Sequence, residues 1–289
     1  MLFLNLLVNG LVSGCAIGVV AITFSIIYST TRVFHVAHAG IYTLAGYVTW
    51  YLSSEGLPFW LALACAVVVG AAMGAFIQSQ LYSRLVQRNA TPLVLLIASL
   101  GALVVIQNVM AAFFSPDVLQ MSPSWRNNTI QLSVVTISVP QALLAVSGLV
   151  LFAALLLWSG RTTIGKRTRA VAANEFLAEI TRLEPRRVHV IVMAIASGMI
   201  AFPSAFTALD QGLQPYTGTL ILLTATVAVI AGGMDSLVGA FVTSIILSVL
   251  QTTSTVIISG QWSVAATFGL FVMLMVVAPK GIFARRTTR

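Results

Sequence analysis

Charged side chains are scarce in this sequence: only 8% of its 289 residues are Asp, Glu, Lys or Arg, whereas 58% are hydrophobic. A soluble domain is excluded, because such a chain has too few polar groups to cover its own surface. Cysteine is nearly absent as well. Cys15 and Cys65 both lie inside apolar runs, so neither a disulfide framework nor a thiolate metal site is indicated. The composition predicts an all-α polytopic membrane protein.

Motifs for enzymatic chemistry are also missing. No Ser-His-Asp or Cys-His arrangement stands out, and His35 and His38 have no nearby Cys, Asp or Glu to complete a metal site. Residues 160–166, GRTTIGK, imitate a phosphate-binding loop, but Arg167 stands where a magnesium-binding hydroxyl is needed, and an apolar run precedes the motif instead of a strand. We therefore expect no enzymatic activity, no metal and no bound cofactor in this chain.

Long apolar runs dominate what is present. A helix needs about 20 residues to cross about 30 Å of hydrocarbon. Nine runs reach or approach this length, at 3–29, 34–52, 58–82, 91–115, 139–159, 188–209, 217–233, 236–258 and 262–278. The run at 34–52 either crosses the membrane or re-enters it. The sequence thus predicts about eight to nine transmembrane helices in a single membrane domain over residues 1–289.

The basic residues fall on one side of this arrangement. If all nine runs cross, every one of the fifteen Lys and Arg residues except Arg126 lies on the same side of the membrane. Lys and Arg in short loops stay in the cytoplasm, so the N-terminus is predicted to be periplasmic and the C-terminus cytoplasmic. This orientation signal accounts for the net charge of +8, and nucleic-acid binding is not predicted.

The nine runs contain no Asp, Glu, Lys or Arg. Proton-driven and voltage-driven proteins usually place ionisable groups within the membrane. Energy for active transport would therefore come from another protein. Polar residues without charge do occur in the runs, among them Asn9 and Gln251, and these are expected to face other helices or a polar passage.

Glycines recur at every fourth position in two of the runs. They are Gly10, Gly14 and Gly18 in the first run and Gly70 and Gly74 in the third. Small residues at this spacing let a second helix approach closely within a membrane. We expect both glycine faces to be helix contacts.

The loop at 161–187 is the only long charged stretch, and it is amphipathic. Apolar residues at helical spacing share one face: Ala173, Phe176, Leu177, Ile180 and Leu183. We expect a helix of about 20 Å over residues 170–183. Asn174 is expected to cap a second short helix within this range, and Pro185 is expected to end that helix. The helix either docks a soluble partner or lies on lipid headgroups. The uncharged runs favour a partner that supplies energy.

The loop at 116–138 is predicted to lie on the opposite, outer side. It contains an alternating stretch between Thr129 and Thr136. Alternation over so few residues predicts a small β-hairpin.

Three segments of the chain match one known protein family residue by residue. Residues 32–47 match that family in Ala37, His38, Leu44, Gly46 and Tyr47. The loop at 161–187 matches it in Gly165, Arg167, Arg169, Ala170, Ala172, Asn174, Ala178, Arg187 and Val188. Residues 231–240 match it in Gly232, Gly233, Ser236, Leu237, Gly239 and Ala240. The chain departs from the family where Arg182 and Asp235 replace glycines and Val238 replaces a proline.

Through these three segments the chain resembles the permease subunits of ATP-binding cassette (ABC) importers for branched-chain amino acids. This resemblance implies the import of branched-chain or related amino acids across the bacterial inner membrane. It also implies four partners besides the lipid bilayer: a second related permease, two cytoplasmic ATPase subunits that hydrolyse the ATP, and a periplasmic binding protein. We expect coupling to the ATPase at Ala170, Asn174, Glu175, Ala178, Glu179 and Arg182. We expect the translocation path or helix interfaces at His38, Gly232, Gly233 and Ser236. The alternative is a stand-alone channel or facilitator for small neutral solutes such as urea or amides.

Overall fold

The computed structural model of the chain describes residues 2–114, 117–121, 123, 125–132 and 135–256, and five isolated positions at 262, 265, 268, 269 and 272. The α-helices within these residues are α1 (Leu2–Thr31), α2 (His38–Ser54), α3 (Phe59–Phe76), α4 (Ser83–Gln87), α5 (Pro92–Phe114), α6 (Val139–Arg161), α7 (Thr163–Ala173), α8 (Glu175–Ile180), α9 (Pro185–Met199), α10 (Ala201–Gln211), α11 (Thr217–Gly232) and α12 (Leu237–Ser254). A π-helical segment, Ile77–Tyr82, joins α3 to α4. Strands β1 (Thr129–Leu132) and β2 (Val135–Ser138) pair antiparallel, which confirms the predicted hairpin.

Six helical stretches in the described residues are long and apolar enough to cross a membrane. They are Phe3–Thr31, Phe59–Gln87, Pro92–Phe114, Val139–Arg161, Pro185–Gln211 and Leu237–Ser254. Helices α2 and α11 are shorter, with 17 and 16 residues. The predicted all-helical, multi-pass architecture is confirmed. The run predicted at 262–278 lies outside the described residues, apart from the isolated positions.

Helix α2 runs along α3 from one end to the other. At the start of α2, the His38 ring lies 5.4 Å from that of His35, which in turn lies 5.5 Å from the ring of Tyr82 at the end of the π-helical segment. Near the end of α2, Trp50 lines the same small pocket as Phe59, which begins α3. The two ends of α2 therefore lie beside opposite ends of the continuous stretch formed by α3 and the π-helical segment.

The two ends of the helix bundle differ in charge. One end carries the loop at 161–187 together with Arg32, whose guanidinium donates a hydrogen bond to the carbonyl oxygen of Ala172 in that loop. Arg186 and Arg187 share a groove with Ser83 of α4, so Arg84 of α4 and Arg88, which follows that helix, lie at this end too. We call it the basic end. The other end carries strands β1 and β2, and we call it the hairpin end.

The glycine spacing in the first predicted run brings α1 against α12. A Cβ atom added at Gly10 would lie 2.7 Å from the Cα of Val249, and one at Gly14 would lie 2.7 Å from the Cα of Ile245. In the same way a Cβ at Gly70 would lie 2.7 Å from the backbone oxygen of Ser197 in α9. Both predicted glycine faces are therefore helix contacts, which confirms that prediction.

Helix α1 forms the centre of the packing. Its middle residues, from Val19 to Ile27, are buried almost completely, and it contacts α6, α9, α11 and α12. A helix shielded on all sides by protein has no lipid-facing surface over that stretch. Helices α3, α5 and α6 instead expose many large apolar side chains, as lipid-facing helices do.

Candidate functional site

The charged loop at the basic end folds into two short helices. Thr162 caps the first of them, α7, because its Oγ1 accepts a hydrogen bond of 3.0 Å from the backbone N–H of Gly165. Gly165 packs directly on the backbone of Trp158 and Ser159 at the end of α6, where a side chain would have no room. These contacts fix the direction of α7 relative to α6.

Asn174 separates α7 from α8. Its backbone is extended (φ −161°, ψ 106°), and its side-chain oxygen accepts a hydrogen bond of 3.0 Å from the N–H of Leu177. The predicted cap is confirmed. The prediction of one helix over residues 170–183 is wrong, because an N-cap residue leaves the helical conformation in order to reach the free amides behind it.

Arg182 ends the second helix. It adopts a left-handed conformation (φ +59°), its N–H donates to the carbonyl of Glu179, and the N–H of Leu183 donates to that of Ala178. This pair of hydrogen bonds is the Schellman turn, which glycine favours. The prediction that Pro185 ends the helix is wrong, since Pro185 is instead the first residue of α9.

Helix α8 holds its large apolar side chains out of the protein. Phe176, Leu177 and Ile180 are 70%, 57% and 64% exposed, whereas Ala178 is only 4% exposed. The other residues expected to couple to an ATPase, Ala170, Asn174, Glu175, Glu179 and Arg182, are all exposed. Ala178 thus fixes α8 to the protein, and the three large side chains form a surface that we call the α8 face.

Arg32 connects the three sequence segments quoted above. This residue precedes α2 with a left-handed backbone (φ +54°). Its Nη2 donates a hydrogen bond of 3.2 Å to the carbonyl oxygen of Ala172 in α7, and its Nη1 lies 3.7 Å from Oδ1 of Asp235 between α11 and α12. One side chain therefore links the α1–α2 connection, α7 and the α11–α12 turn.

The α11–α12 turn is built for close approach of two helices. Gly232 lies directly against the backbone of Gly239, and Gly233 has a positive φ of +100°. The hydroxyl of Ser236 caps α12 by accepting a hydrogen bond of 3.0 Å from the N–H of Gly239. The structure places Gly232 at a contact between α11 and α12, and Gly233 and Ser236 in the turn that joins them near the basic end.

His38 belongs to a buried polar cluster between α1, α2, α5 and the π-helical segment. Its Nε2 lies 3.0 Å from the hydroxyl of Thr23. Nδ1 of His35 lies 2.8 Å from the hydroxyl of Tyr82, which donates a hydrogen bond of 2.8 Å to Ser99. The Ser99 oxygen also accepts a hydrogen bond from the N–H of residue 37. This cluster holds the α1–α2 connection in place.

A cavity of about 510 Å³ opens near the hairpin end between α1, α6, α10, α11 and α12. Asn9 and Gln251, two of the six polar residues expected to face helices or a polar passage, line it, whereas Asn5, Gln78, Gln107 and Asn108 do not. Asp210 lines it as well, and the sequence reasoning missed its carboxylate because the predicted run ended one residue earlier. Helix α10 continues to Gln211 and carries this carboxylate within the membrane-length stretch.

Nearly the whole chain matches a family model. A family model described as "Branched-chain amino acid transport system / permease component" matches residues 6–278. The chain belongs to this permease family. The membership predicted from the three segments is thereby confirmed, and the family is one of transport components and not of enzymes.

Relatives of this permease include two proteins from well-known bacteria. It is 25% identical to the high-affinity branched-chain amino acid transport system permease protein LivH of Salmonella typhimurium, over 98% of this chain and 96% of LivH. It is 24% identical to the corresponding protein BraD of Pseudomonas aeruginosa, with the same coverage of both chains.

The fold of the permease also resembles a solved structure. This is PsaBC from Streptococcus pneumoniae in complex with Fab, with a TM-score of 0.52 and 16% sequence identity, over 94% of this chain and 91% of that chain. At this identity the likeness concerns the fold alone. It extends over almost all of both chains.

Proposed function

We propose that this permease is the membrane-spanning subunit of an ABC importer that carries branched-chain or related amino acids into the cytoplasm. Separate ATPase subunits would hydrolyse the ATP, so the chain itself would need no nucleotide site. The printed functions of LivH and BraD, which match nearly the whole chain, support this substrate class. The family membership supports the role of a permease component.

The α8 face is the observation that carries this proposal. Phe176, Leu177 and Ile180 project from a helix of only six residues at the basic end. Each side chain of this kind contributes about 1.5–3 kcal/mol when it leaves water. A cap and a Schellman turn hold both ends of the helix, so its direction is set before a partner arrives. A preformed apolar surface of this kind suits a protein groove.

The charges beside the α8 face favour a protein partner over lipid headgroups. Glu175 and Glu179 are both exposed on this helix. A helix that binds an anionic membrane surface carries Lys and Arg on its polar face, whereas α8 itself has no basic residue. The acidic pair instead complements a basic partner surface.

The proposed importer has a defined orientation in the bacterial inner membrane. By the rule that Lys and Arg stay inside, the basic end faces the cytoplasm and the hairpin end the periplasm. A second, related permease would lie alongside in the membrane. Two ATPase subunits would contact the basic end, and a binding protein would deliver the substrate at the hairpin end.

ATP-driven closure of the ATPases would push on α8. The push would pass from Ala178 and Leu183 into α9 and from α7 into α1 and α6, which contact these short helices. Rigid-body movement of packed helices is a common way to open and close a path. The bundle would then alternate between access from the periplasm and access from the cytoplasm.

Co-purification and uptake test this proposal. The double substitution of Phe176→Ser and Ile180→Ser should lower the affinity for the ATPase about a hundredfold or more, because two side chains that the contact would bury are lost. The control is Val86→Ser, which alters an exposed apolar residue of α4 outside the α8 face. The measurement is the amount of ATPase retained on the tagged permease.

Charge reversal provides a second measurement. The variants Glu175→Lys and Glu179→Lys should uncouple ATP hydrolysis from uptake while leaving membrane insertion intact. Unchanged ATP-linked uptake in both variants, together with unchanged ATPase binding in the double Ser variant, would contradict the proposal. Transport of urea or amides by the purified chain alone in liposomes would instead support a facilitator.

A further inference from the structure

The cavity near the hairpin end has the size and walls of a small-molecule site. Its volume of about 510 Å³ falls within the roughly 300–1,000 Å³ typical of ligand pockets. Five helices contribute side chains to it, and hydroxyl and amide groups alternate with aliphatic ones. Among the polar ones, Thr207 and Ser248 are almost completely buried. Within a membrane bundle an ionisable residue is the stronger sign of a functional site, and one lines this cavity.

Asp210 supplies the only formal charge among the described residues that line this cavity. The hydroxyl of Ser138 donates a hydrogen bond of 3.2 Å to its Oδ1, and the side-chain amide of Gln141 donates one of 3.5 Å to its Oδ2. Both donors are neutral, so they orient the carboxylate without cancelling its charge. The carboxylate also lies in the last turn of α10, the negative end of the helix dipole.

The nearby arginine is committed elsewhere. Arg126 donates its Nε–H to the carbonyl oxygen of Leu209 at 2.8 Å and an Nη1–H to Gln120 at 3.1 Å. The three ion pairs formed by the described residues do not include Asp210. Asp210 lies near the end of a membrane-length helix and forms no ion pair among the described residues, so its negative charge is left without direct compensation. A ligand that brings a positive charge would compensate it.

We propose that this cavity receives the transported amino acid and that Asp210 binds its ammonium group. The inference rests on the proposed function, which names amino acids as the substrate class. Charge-assisted hydrogen bonds from an ammonium to a carboxylate are roughly twice as strong as neutral ones. Aliphatic residues of α6 and α11, Leu144, Leu220 and Leu223, offer an apolar wall for a branched side chain.

The same charge sets a clear order of preference among ligands. Among the described residues that line the cavity, only neutral donors such as Asn9 and Gln251 are available to the substrate carboxylate. An amine that keeps the branched chain but lacks the carboxylate should therefore bind, because it retains the contact with Asp210. A carboxylic acid that lacks the amine should be repelled by Asp210.

Competition binding tests this order. The full-length permease in lipid nanodiscs would be titrated with tritiated L-leucine, and 3-methylbutylamine and 4-methylpentanoate would serve as competitors. The amine is expected to displace leucine and the acid is not. Asp210→Asn should weaken leucine binding about tenfold or more, as expected for losing a charged hydrogen bond. Asp210→Glu should retain the preference for the amine.

The control variant is Glu55→Gln, which removes a carboxylate that follows α2 outside the cavity. It should leave leucine binding unchanged. Size-exclusion profiles would establish that each variant is folded, and Asp210→Glu would show that the position tolerates substitution. Three results would overturn the inference: no leucine binding by the wild-type chain, equal binding by Asp210→Asn, or equal competition by the acid and the amine.

Uptake by the assembled importer separates this inference from the proposed function. If the complex containing Asp210→Asn imports leucine at the wild-type rate, the role of Asp210 is overturned while the importer stands. If the wild-type complex shows no ATP-driven amino acid uptake, the proposed function itself fails.

Discussion

Replacing Gly14 with Ala should push α1 and α12 apart. The added Cβ would lie 2.7 Å from the Cα of Ile245, and 3.3 Å from both its Cγ1 and the Cβ of Ser248. Carbon atoms pack best at about 3.5–4.0 Å, so α12 would have to retreat by about 1 Å. The blocking atom belongs to the backbone and cannot rotate away. Overpacking of this kind costs about 1–3 kcal/mol.

Gly101→Ala is the matched comparison for this prediction. Gly101 lies within α5, and nothing lies within 4 Å of a Cβ added there. Both substitutions gain about the same helix propensity, up to about 1 kcal/mol. The difference between the two variants therefore isolates the packing cost at Gly14.

Thermal unfolding in detergent, followed by the loss of the monodisperse size-exclusion peak, measures that difference. Gly14→Ala should melt below Gly101→Ala, by about 2–4 °C for each kcal/mol of packing cost. Gly101→Ala should melt at or above the wild type. Equal melting temperatures for the two variants would refute the close α1–α12 contact.

Substitutions at three further positions, Asn174, Arg182 and Tyr82, probe the basic end. Asn174→Ala should cost about 1 kcal/mol by removing the cap of α8, seen as faster hydrogen exchange of the α8 amides, whereas Asn174→Asp should retain protection. Arg182→Gly should raise the melting temperature slightly, because a non-glycine residue at positive φ costs roughly 1–2 kcal/mol, and Arg182→Val should lower it. Tyr82→Phe should lower the free energy of unfolding by about 1–3 kcal/mol, measured by thermal unfolding, because His35 loses a buried hydrogen-bond partner. The control is Tyr51→Phe at an exposed position, which should change that free energy by no more than about 0.5 kcal/mol.

Span positions could be predicted from the sequence because a run of about 20 apolar residues is long enough to cross the hydrocarbon. The run expected at 139–159 is α6, Val139–Arg161, and the run expected at 91–115 is α5, Pro92–Phe114. The glycine faces and the Asn174 cap were equally predictable, because each depends on spacing or on residues three positions apart. Features of this kind depend on residues close together in the sequence, so they can be predicted without knowing the fold.

The errors came from weighing one local pattern over another. Apolar spacing across residues 170–183 favours one helix, while Asn174 before Glu175 favours a break. The break prevails because the cap satisfies backbone amides that would otherwise face water unpaired. The same spacing does not reveal that Phe176 points away from the protein, since periodicity defines a face but not what covers it.

Other features depend on residues distant in the sequence. The π-helical turn directs Tyr82 toward His35, 47 positions earlier, and the letters IQSQLY carry no sign of it. Asp210 is held at the cavity by hydrogen bonds from Ser138 and Gln141, which lie about 70 positions earlier in the sequence. Hydropathy ended that run before the aspartate, because a carboxylate reads as the edge of a span.

Arg32 connects separate parts of the basic end, so that their movements are linked. Its guanidinium contacts the backbone of α7 on one side and the Asp235 carboxylate on the other, and the residues that follow it are anchored through His35. If the last turn of α7 moves, either the α11–α12 turn moves with it or the guanidinium loses one of its two contacts. Both contacts are solvent-exposed and individually weak, so each of them can break and re-form at little cost.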